Sequence, residues 1–320
     1  MTRTRLKQVL VLLPAILLAA CDRNEPGAAG GDSSSAAAPG PTPALNPSGP
    51  DWRTTEWAMQ RGAPDLTGRV GDMVIRNPEI EWSVELDGPI VAEAGIANGK
   101  VYVGTIIGTL YALDAETGEE RWTFEAEDTI EAAPTIAAGR VFIGSNDGFF
   151  YCLDEETGEV QWKEEGHDKM LGGATVLAGP DGELDRVLFN GHDGIVRCRK
   201  IADGSEVWSH DAGDNINGSP GLLDGKFVVF GGCASVVHVL KLDDGELVNE
   251  VVTDAEVMSW VATVGKMVYF ANHANQVVAA DAFGEELTWV YEDRDFPFFS
   301  NPAVGEDHVF IGSRDKHLHA

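Results

Sequence analysis

The chain has 320 residues, of which 43% are hydrophobic, so it is long enough and apolar enough to bury a core. Its formal net charge at pH 7 is −29, because 52 acidic side chains outnumber 23 basic ones. A surface this acidic repels phosphate groups, which excludes nucleic acid as a partner and gives the chain no electrostatic attraction to an anionic membrane.

The N-terminal segment, 1–20, predicts a secretory signal peptide. Arg3, Arg5 and Lys7 precede an apolar stretch at 9–18, which is too short for a permanent membrane-spanning helix. Cys21 follows Leu-Ala-Ala, which resembles the cleavage site of bacterial lipoproteins and implies a lipid on this cysteine. We therefore expect a periplasmic location in the cell envelope, with membrane contact through the Cys21 lipid only. A short membrane anchor with an incidental cysteine is the alternative.

Two segments separate the signal peptide from the rest of the chain. Residues 21–50 are rich in Gly, Ala, Ser and Pro and nearly devoid of large apolar side chains, so they predict a disordered tether. Residues 51–88 predict an N-terminal arm followed by a strand at 81–86, which carries Trp82.

An internal repeat occupies the remainder of the chain. The segment at 111–122, YALDAETGEERW, returns at 151–162 as YCLDEETGEVQW, and weaker copies follow. The tryptophans that end the copies, together with Asn249 in one place, stand at positions 82, 122, 162, 208, 249 and 289. Successive positions are about 40 residues apart, with one longer interval of about 46 residues, and a period this regular is typical of a propeller or a solenoid.

The pattern inside each repeat favours the propeller. In the second repeat, four short β-rich segments are predicted as strands A to D at 132–137, 140–145, 148–153 and 160–164, and no helical periodicity appears after residue 80. Four short strands per repeat form a propeller blade, so the segment 89–320 predicts an all-β domain of four-stranded blades. The one longer interval predicts an insertion at 179–182, in a longer A–B turn.

The D-x-x-T-G-x-x-x-W copies resemble the tryptophan-docking repeat of the PQQ-like, or quinoprotein-type, β-propellers, a family that includes quinoprotein dehydrogenases and BamB-like lipoproteins. The resemblance covers about residues 57–320, including an arm at 57–68. It implies structural roles: glycine supplies a positive φ at the C–D turn, aspartate caps turn amides and tryptophan docks between blades. The residues concerned are Trp82, Asp114, Gly118, Trp122, Asp154, Gly158, Trp162, Trp208, Asp281 and Trp289.

The last residues, 309–320, predict strand B and most of strand C of a sixth blade. In one interpretation, six blades close into a ring because the 81–86 strand pairs beside 317–320. In the other, the chain is a C-terminally truncated part of an eight-bladed ring, the usual number in the family. The second is favoured, because the repeat stops within its motif.

The D–A and B–C loops of such a propeller emerge on one face around the central channel, and this face is the candidate binding surface. A polar surface there would suit a ligand or a calcium ion held by oxygen atoms, whereas the alternative is that Asn and Asp only serve tight turns. The candidate residues are Asp147, His167, Asp168, His192, Asp193, Asp214, Asn215, Cys233, Asn272, His273, Asp295 and Arg314.

Cys152 and Cys198 occupy the strand position that holds Ala112 and Ala279 in other repeats. A position that accepts a small side chain predicts buried, reduced and inert thiols that form no disulfide with each other.

No catalytic residue and no metal ligand set are assigned. The chain lacks the Cys-Cys dipeptide of quinoprotein dehydrogenases, a Ser-His-Asp pattern and zinc or calcium-loop motifs, so no cofactor is expected. The sequence favours a BamB-like lipid-anchored binding or scaffold protein whose partner is an envelope protein or a small ligand. A PQQ-dependent oxidoreductase using PQQ and calcium, and the ligand-sensing domain of an envelope signalling system, are the alternatives.

Overall fold

The computed structural model describes residues 58–66, 80–179, 182–257, 259–292, 298 and 300–320. The predicted signal peptide, Cys21, the tether and Asp295 lie outside the described residues. Within the described residues the chain folds into antiparallel β-sheets, with a single 3-10 turn at Gln60–Gly62. None of the helical structure in this part of the chain is long and apolar enough to cross a membrane.

The strands of the described residues fall into six consecutive sheets, which are the blades of the predicted propeller. Blades 1 to 5 each have four strands in the order A-B-C-D, and the described part of blade 6 has three. The all-β propeller of four-stranded blades predicted from the sequence is therefore confirmed.

The strand bounds are given blade by blade. Blade 1 has β1 Gly95–Ala97, β2 Lys100–Gly104, β3 Thr109–Asp114 and β4 Glu120–Glu125. Blade 2 has β5 Thr135–Ala137, β6 Arg140–Gly144, β7 Phe149–Asp154 and β8 Val160–Glu165. Blade 3 has β9 Thr175–Ala178, β10 Leu184–Asn190, β11 Ile195–Lys200 and β12 Glu206–Asp211.

The remaining blades follow the same order. Blade 4 has β13 Gly221–Leu223, β14 Phe227–Gly231, β15 Val236–Lys241 and β16 Leu247–Val252. Blade 5 has β17 Ala262–Val264, β18 Met267–Ala271, β19 Gln276–Asp281 and β20 Leu287–Glu292. Blade 6 has β21 Ala303–Val304, β22 Val309–Gly312 and β23 Leu318–His319.

The longer repeat belongs to blade 3. Its A–B hairpin, β9 and β10, has longer strands and a longer turn than the β5–β6 hairpin of blade 2, while the other connections keep their length. A register shift between Leu184 and Arg186 accommodates part of the extra chain. The insertion therefore lies in the A–B hairpin, as the spacing of the tryptophans indicates.

The tryptophan at the outer strand of one blade docks on the C–D turn of the next. The Trp122 indole N–H donates to the carbonyl of Glu155 at 2.9 Å, and the ring lies against Gly158. Gly158 has φ +73°, and a Cβ atom on it would lie 2.6 Å from the indole, so both its backbone conformation and its contact require glycine.

The same contact repeats along the chain. Trp82, Trp162 and Trp208 donate their indole N–H to the carbonyls of Ala115, Ile201 and Leu242 at 2.9–3.0 Å. In blade 4 Asn249 replaces the tryptophan, and its amide donates to the carbonyls of Ala282 and Gly284. The hydrogen bond between blades is thus retained where the aromatic ring is lost.

The residue paired with each docking side chain compensates for its volume. Ala112, Cys152 and Cys198 stand opposite tryptophans, whereas the larger Val239 stands opposite Asn249. Both cysteines are free and fully buried, and burial raises the pKa of each thiol to about 12. The indole paired with this strand position therefore explains why the repeats have a small residue there.

Residues 81–86 differ from the expectation, because they form no strand. No described strand lies beside them to accept backbone hydrogen bonds, and only the Trp82 side chain docks, on blade 1. The described sheet of blade 6 consists of β21, β22 and β23 and does not include 81–86. The hydrogen-bonded pairing at 317–320 that a closed six-bladed ring required is therefore not formed.

The arm, residues 58–66, occupies the centre of the blades. Neighbouring inner strands contact one another, β1 with β5, β5 with β9, β13 with β17 and β17 with β21, and they form the wall of the central channel. Ile136, Leu222 and Thr263, from the inner strands of blades 2, 4 and 5, donate their backbone N–H groups to arm carbonyls. The sequence indicated an arm before the first blade but not its position.

Three side chains hold the arm in place. Met59 and Leu66 are each 2% exposed, and Arg61 donates through Nη2 to the carbonyl of Pro302 at 2.9 Å. The Arg61 backbone N–H donates to the carboxylate of Glu93. Burial lowers the pKa of Arg61, and the charge of Glu93 opposes this effect. The arm thus contacts blades 1, 2, 4, 5 and 6 at once.

We expect Trp122→Ala to destabilise the chain by about 3–5 kcal/mol, because it deletes a buried indole, opens a cavity and leaves the Glu155 carbonyl without its donor. Urea unfolding of the full chain measures this. Thr123→Ala, on the exposed side of the same strand, is the control and should cost less than about 1 kcal/mol. Equal effects of the two substitutions would contradict the docking role.

Iodoacetamide should label neither Cys152 nor Cys198 in the folded protein at pH 8, because thiols with raised pKa values inside blade interfaces are protonated and inaccessible. Both should react after unfolding in urea. Peptide mapping by mass spectrometry gives the result, and a disulfide-linked peptide containing both residues would show that the strand register is wrong.

Candidate functional site

The D–A and B–C loops meet on one surface, which we call the loop face. The B–C residues Asn146, His192, Cys233 and His273 each donate a backbone N–H to the preceding D–A loop, at Thr129, Lys169, Asn215 and Glu256 respectively. This repeated bond aligns the loops of blades 2 to 5 in the same way. The polar residues that the sequence assigned to these loops are therefore brought to one surface.

Three aspartates, each at the third position of a B–C loop, accept hydrogen bonds from backbone N–H groups of their own turns. The carboxylates of Asp147, Asp193 and Asp315 each accept the backbone N–H of the residue two positions later, at 2.8–3.1 Å. Each also contacts a side chain on strand C: Tyr151, Arg197 and His319. Their geometry is that of an Asx turn, in which the carboxylate replaces a backbone carbonyl.

Asp193 is the most firmly held of these groups. Burial opposes its ionisation, but hydrogen bonds from Arg197 and from the backbone of His167 and Ile195 outweigh this, so the pKa of Asp193 lies below its usual value. Its charge is balanced by Arg197 within the same blade. The carboxylate is thus ionised and occupied by protein donors.

Asp168, His192 and Asn215 come together between blades 3 and 4. His192 Nδ1 lies 3.2 Å from Asp168 Oδ2, and the Asn215 amide nitrogen lies 2.9 Å from His192 Nδ1. Burial opposes ionisation of Asp168, but the Lys169 backbone N–H and His192 outweigh it, so the pKa of Asp168 is lowered. This group remains partly accessible and can hydrogen-bond a partner.

The other candidates are distributed around the same surface. Asn272 is fully buried, and its amide donates to Gln276 in blade 5 and to Thr253 in the preceding D–A loop. Asp214 accepts the backbone N–H of Asn215, and the Cys233 sulfur accepts a hydrogen bond from the Asn217 amide. His273 Nε2 lies 4.0 Å from the Glu256 carboxylate, and Arg314 is in the B–C loop of blade 6.

Sequence reasoning missed two channel residues. Strand B ends in glycine in blades 1, 2, 4 and 6 and in Ala271 in blade 5, whereas blade 3 has the larger, polar Asn190 in this position. Trp260 precedes the inner strand of blade 5 and lies outside the register of the other tryptophans from Trp82 onward. A comparison of the repeats position by position would have found both exceptions.

The described residues of the loop face do not form the calcium and quinone site that the PQQ-dependent alternative would need. Among the described residues, no group of three or more His, Cys, Asp or Glu side chains converges as a metal ion requires. The carboxylates of Asp147, Asp193 and Asp315 already serve turn amides and strand C side chains. The loop face can therefore hydrogen-bond and form ion pairs, and no step through a quinone follows from it.

Comparison with known proteins gives the same architecture. The BamB from Moraxella catarrhalis superposes with a TM-score of 0.50 at 19% sequence identity, over 75% of this chain and 87% of that one. At this identity the likeness concerns the fold. No curated protein sequence matches the chain.

A family model gives the assignment. The PQQ-like repeat family described as outer membrane protein assembly factor BamB matches residues 67–219 and again 192–320, which together cover most of the chain. The repeat, the docking tryptophans and the six blades agree with this match. The chain therefore belongs to the BamB family of PQQ-like repeat propellers.

Proposed function

We propose that the chain is a lipid-anchored binding or scaffold protein of the cell envelope, which holds another envelope protein on its loop face. The observation that carries the proposal is the loop face itself. Polar side chains from blades 2 to 5 are aligned by one repeated backbone hydrogen bond, on a frame of four-stranded sheets. A rigid frame that presents ordered loops is the arrangement on which binding sites are commonly built.

The chemistry of the face favours association over catalysis. The B–C aspartates of blades 2, 3 and 6 are engaged by protein donors. The second position of the B–C loops of blades 2 to 5 is occupied by Asn146, His192, Cys233 and His273, beside the neighbouring D–A loop. Asn146, His192 and His273 provide hydrogen-bonding groups, and among the described residues none of these three stands with both a nucleophile and a base. A chain of net charge −29 favours a neutral or basic partner.

The envelope location rests on two supports. The family is described by the name of an outer-membrane assembly factor, and the sequence at 1–21 has the pattern of a lipoprotein signal. We place the chain on the periplasmic side, with Cys21 as the lipid-carrying residue and the segment 21–50 as the tether between lipid and propeller.

A photo-crosslinking amino acid placed at His192 should give a discrete crosslinked partner in intact cells, because this position lies on the loop face. The same amino acid at His308 is the matched control. His308 is exposed in the A–B turn of blade 6, at the opposite end of the strands. Gel shifts and mass spectrometry identify the products. Equal products from both sites, or a product from His308 alone, would contradict the proposal.

Cys21→Ser should leave the precursor uncleaved or release the protein from the membrane fraction, because the thiol is the atom that would carry the lipid. Fractionation and intact-mass measurement of the wild type and the variant provide the test. Cys152→Ser serves as the control, since that thiol is buried in a blade interface. Unchanged mass and fractionation of Cys21→Ser would exclude the lipid anchor.

A further inference from the structure

Asn190 is the largest residue at the end of strand B, where blades 1, 2, 4 and 6 have glycine and blade 5 has Ala271. A Cβ atom at Gly104, Gly144 or Gly231 would lie only 2.3–2.5 Å from the neighbouring D–A loop, so the end of strand B there has no room for a side chain. Blade 3 nevertheless carries an asparagine at this position. It is 1% exposed, and its Oδ1 has no hydrogen-bond partner. A buried acceptor without a donor destabilises the fold, which suggests that the residue is kept for another reason.

Glycines make room for this amide. A Cβ atom on Gly172 would lie 3.0 Å from Asn190 Oδ1 and 3.4 Å from the carbonyl of Gly218. The Asn190 amide therefore lies over Gly172, next to Gly218, where the inner strands of blades 3 and 4 begin. An alanine at position 172 would press against the amide.

Trp260 stands on the other side of Gly218. A Cβ atom on Gly218 would lie 3.0 Å from Cδ1 of Trp260, and the side chain is half-buried. The indoles of Trp122, Trp162 and Trp208 all donate to a carbonyl, whereas the Trp260 indole N–H has no hydrogen-bond partner among the described residues. Asn190 Oδ1 and the Trp260 indole N–H, both without a hydrogen-bond partner among the described residues, thus lie near the same segment around Gly218.

The arm shows what this channel wall already binds. The inner strands of blades 4 and 5 donate backbone N–H groups to the carbonyls of Pro64 and Asp65, so extended main chain is held there. Leu66 lies against Gly221, three residues along the chain from Gly218. A peptide unit has one N–H and one carbonyl, which match the acceptor on Asn190 and the donor on Trp260.

We propose that Asn190, Gly172, Gly218 and Trp260, together the Asn190 site, bind the main chain of an extended peptide segment at the channel wall, next to the arm. Asn190 Oδ1 accepts a peptide N–H, and the Trp260 indole N–H donates to a peptide carbonyl. The inference rests on the proposed function, because it assigns the part of an envelope partner that enters the channel. The acidity of the chain disfavours an anionic ligand.

The test uses the detergent-solubilised full chain with ¹⁵N-labelled tryptophan. The probe is the capped peptide Ac-Gly-Ala-Gly-Ala-Gly-NH₂, and a second probe has an ester in place of its central amide. The Trp260 indole signal, assigned by its loss in Trp260→Phe, should shift saturably with the amide peptide. The ester should bind about tenfold more weakly, because it lacks one N–H donor.

Asn190→Gly provides the second arm of the experiment. It installs the residue of blades 1, 2 and 4, so the melting temperature should be unchanged or higher, while the amide peptide binds about tenfold more weakly. The ester and the amide should then bind alike, because the two losses concern one hydrogen bond. Asn275→Gly is the matched control. This loop residue of blade 5 has φ +63°, which glycine adopts freely, and wild-type binding should persist.

Several results would overturn the inference. They are the absence of a saturable shift, equal affinity for amide and ester in the wild type, undiminished binding by Asn190→Gly, and a shift with maltotriose instead, which would indicate a saccharide site. The proposed function is tested separately by crosslinking at His192. A crosslinked partner without peptide binding would reject the Asn190 site and leave the scaffold role intact.

Discussion

The structure depends on one hydrogen bond, from the outer strand of each of blades 1 to 4 to a carbonyl in the C–D turn of the next blade. The glycine under the indole has a positive φ and no room for a Cβ atom, so a docked indole requires glycine at this position of the turn. Asn249 retains the hydrogen bond of this contact but lacks the aromatic ring, and the larger Val239 stands opposite it. The hydrogen bond is therefore the part of the contact that does not depend on tryptophan. This contact spaces the tryptophans by about one blade and makes the repeat visible in the sequence.

The fold was predictable because its determinants are local and repeated. Turn glycines, docking tryptophans such as Trp122 and the small residue opposite each of them recur at fixed offsets. The arm was not predictable in position, since Ala58 and Pro64 bind strands far along the chain through backbone groups, which carry no side-chain pattern. The strand expected at 81–86 was wrong, because the motif specifies where Trp82 docks and not whether its backbone has a neighbour to pair with.

The candidate surface was only partly predictable, for a related reason. Asp147 and Asp193 were candidates because carboxylates suit ligands, but the same chemistry caps turn amides, and their contacts are those of turns. The sequence places them on the loop face without distinguishing the two uses. Asn190 and Trp260 were not predicted as site residues, because neither belongs to a motif. The function of a residue that deviates from a repeat is easier to infer than that of a residue that follows it, because the other copies show which residue the structure requires at that position.

The arm connects blades that are far apart in the sequence, which the repeats alone do not do. In an array of repeats, contacts link neighbours, and each unit can form or melt with little effect on distant ones. Arg61, however, hydrogen-bonds Pro302 across 241 positions of sequence, and the same short segment bonds to blades 2, 4 and 5. The arm therefore reaches its final place only after the last of these blades has formed. We expect this requirement to make a modular chain fold as a single cooperative unit.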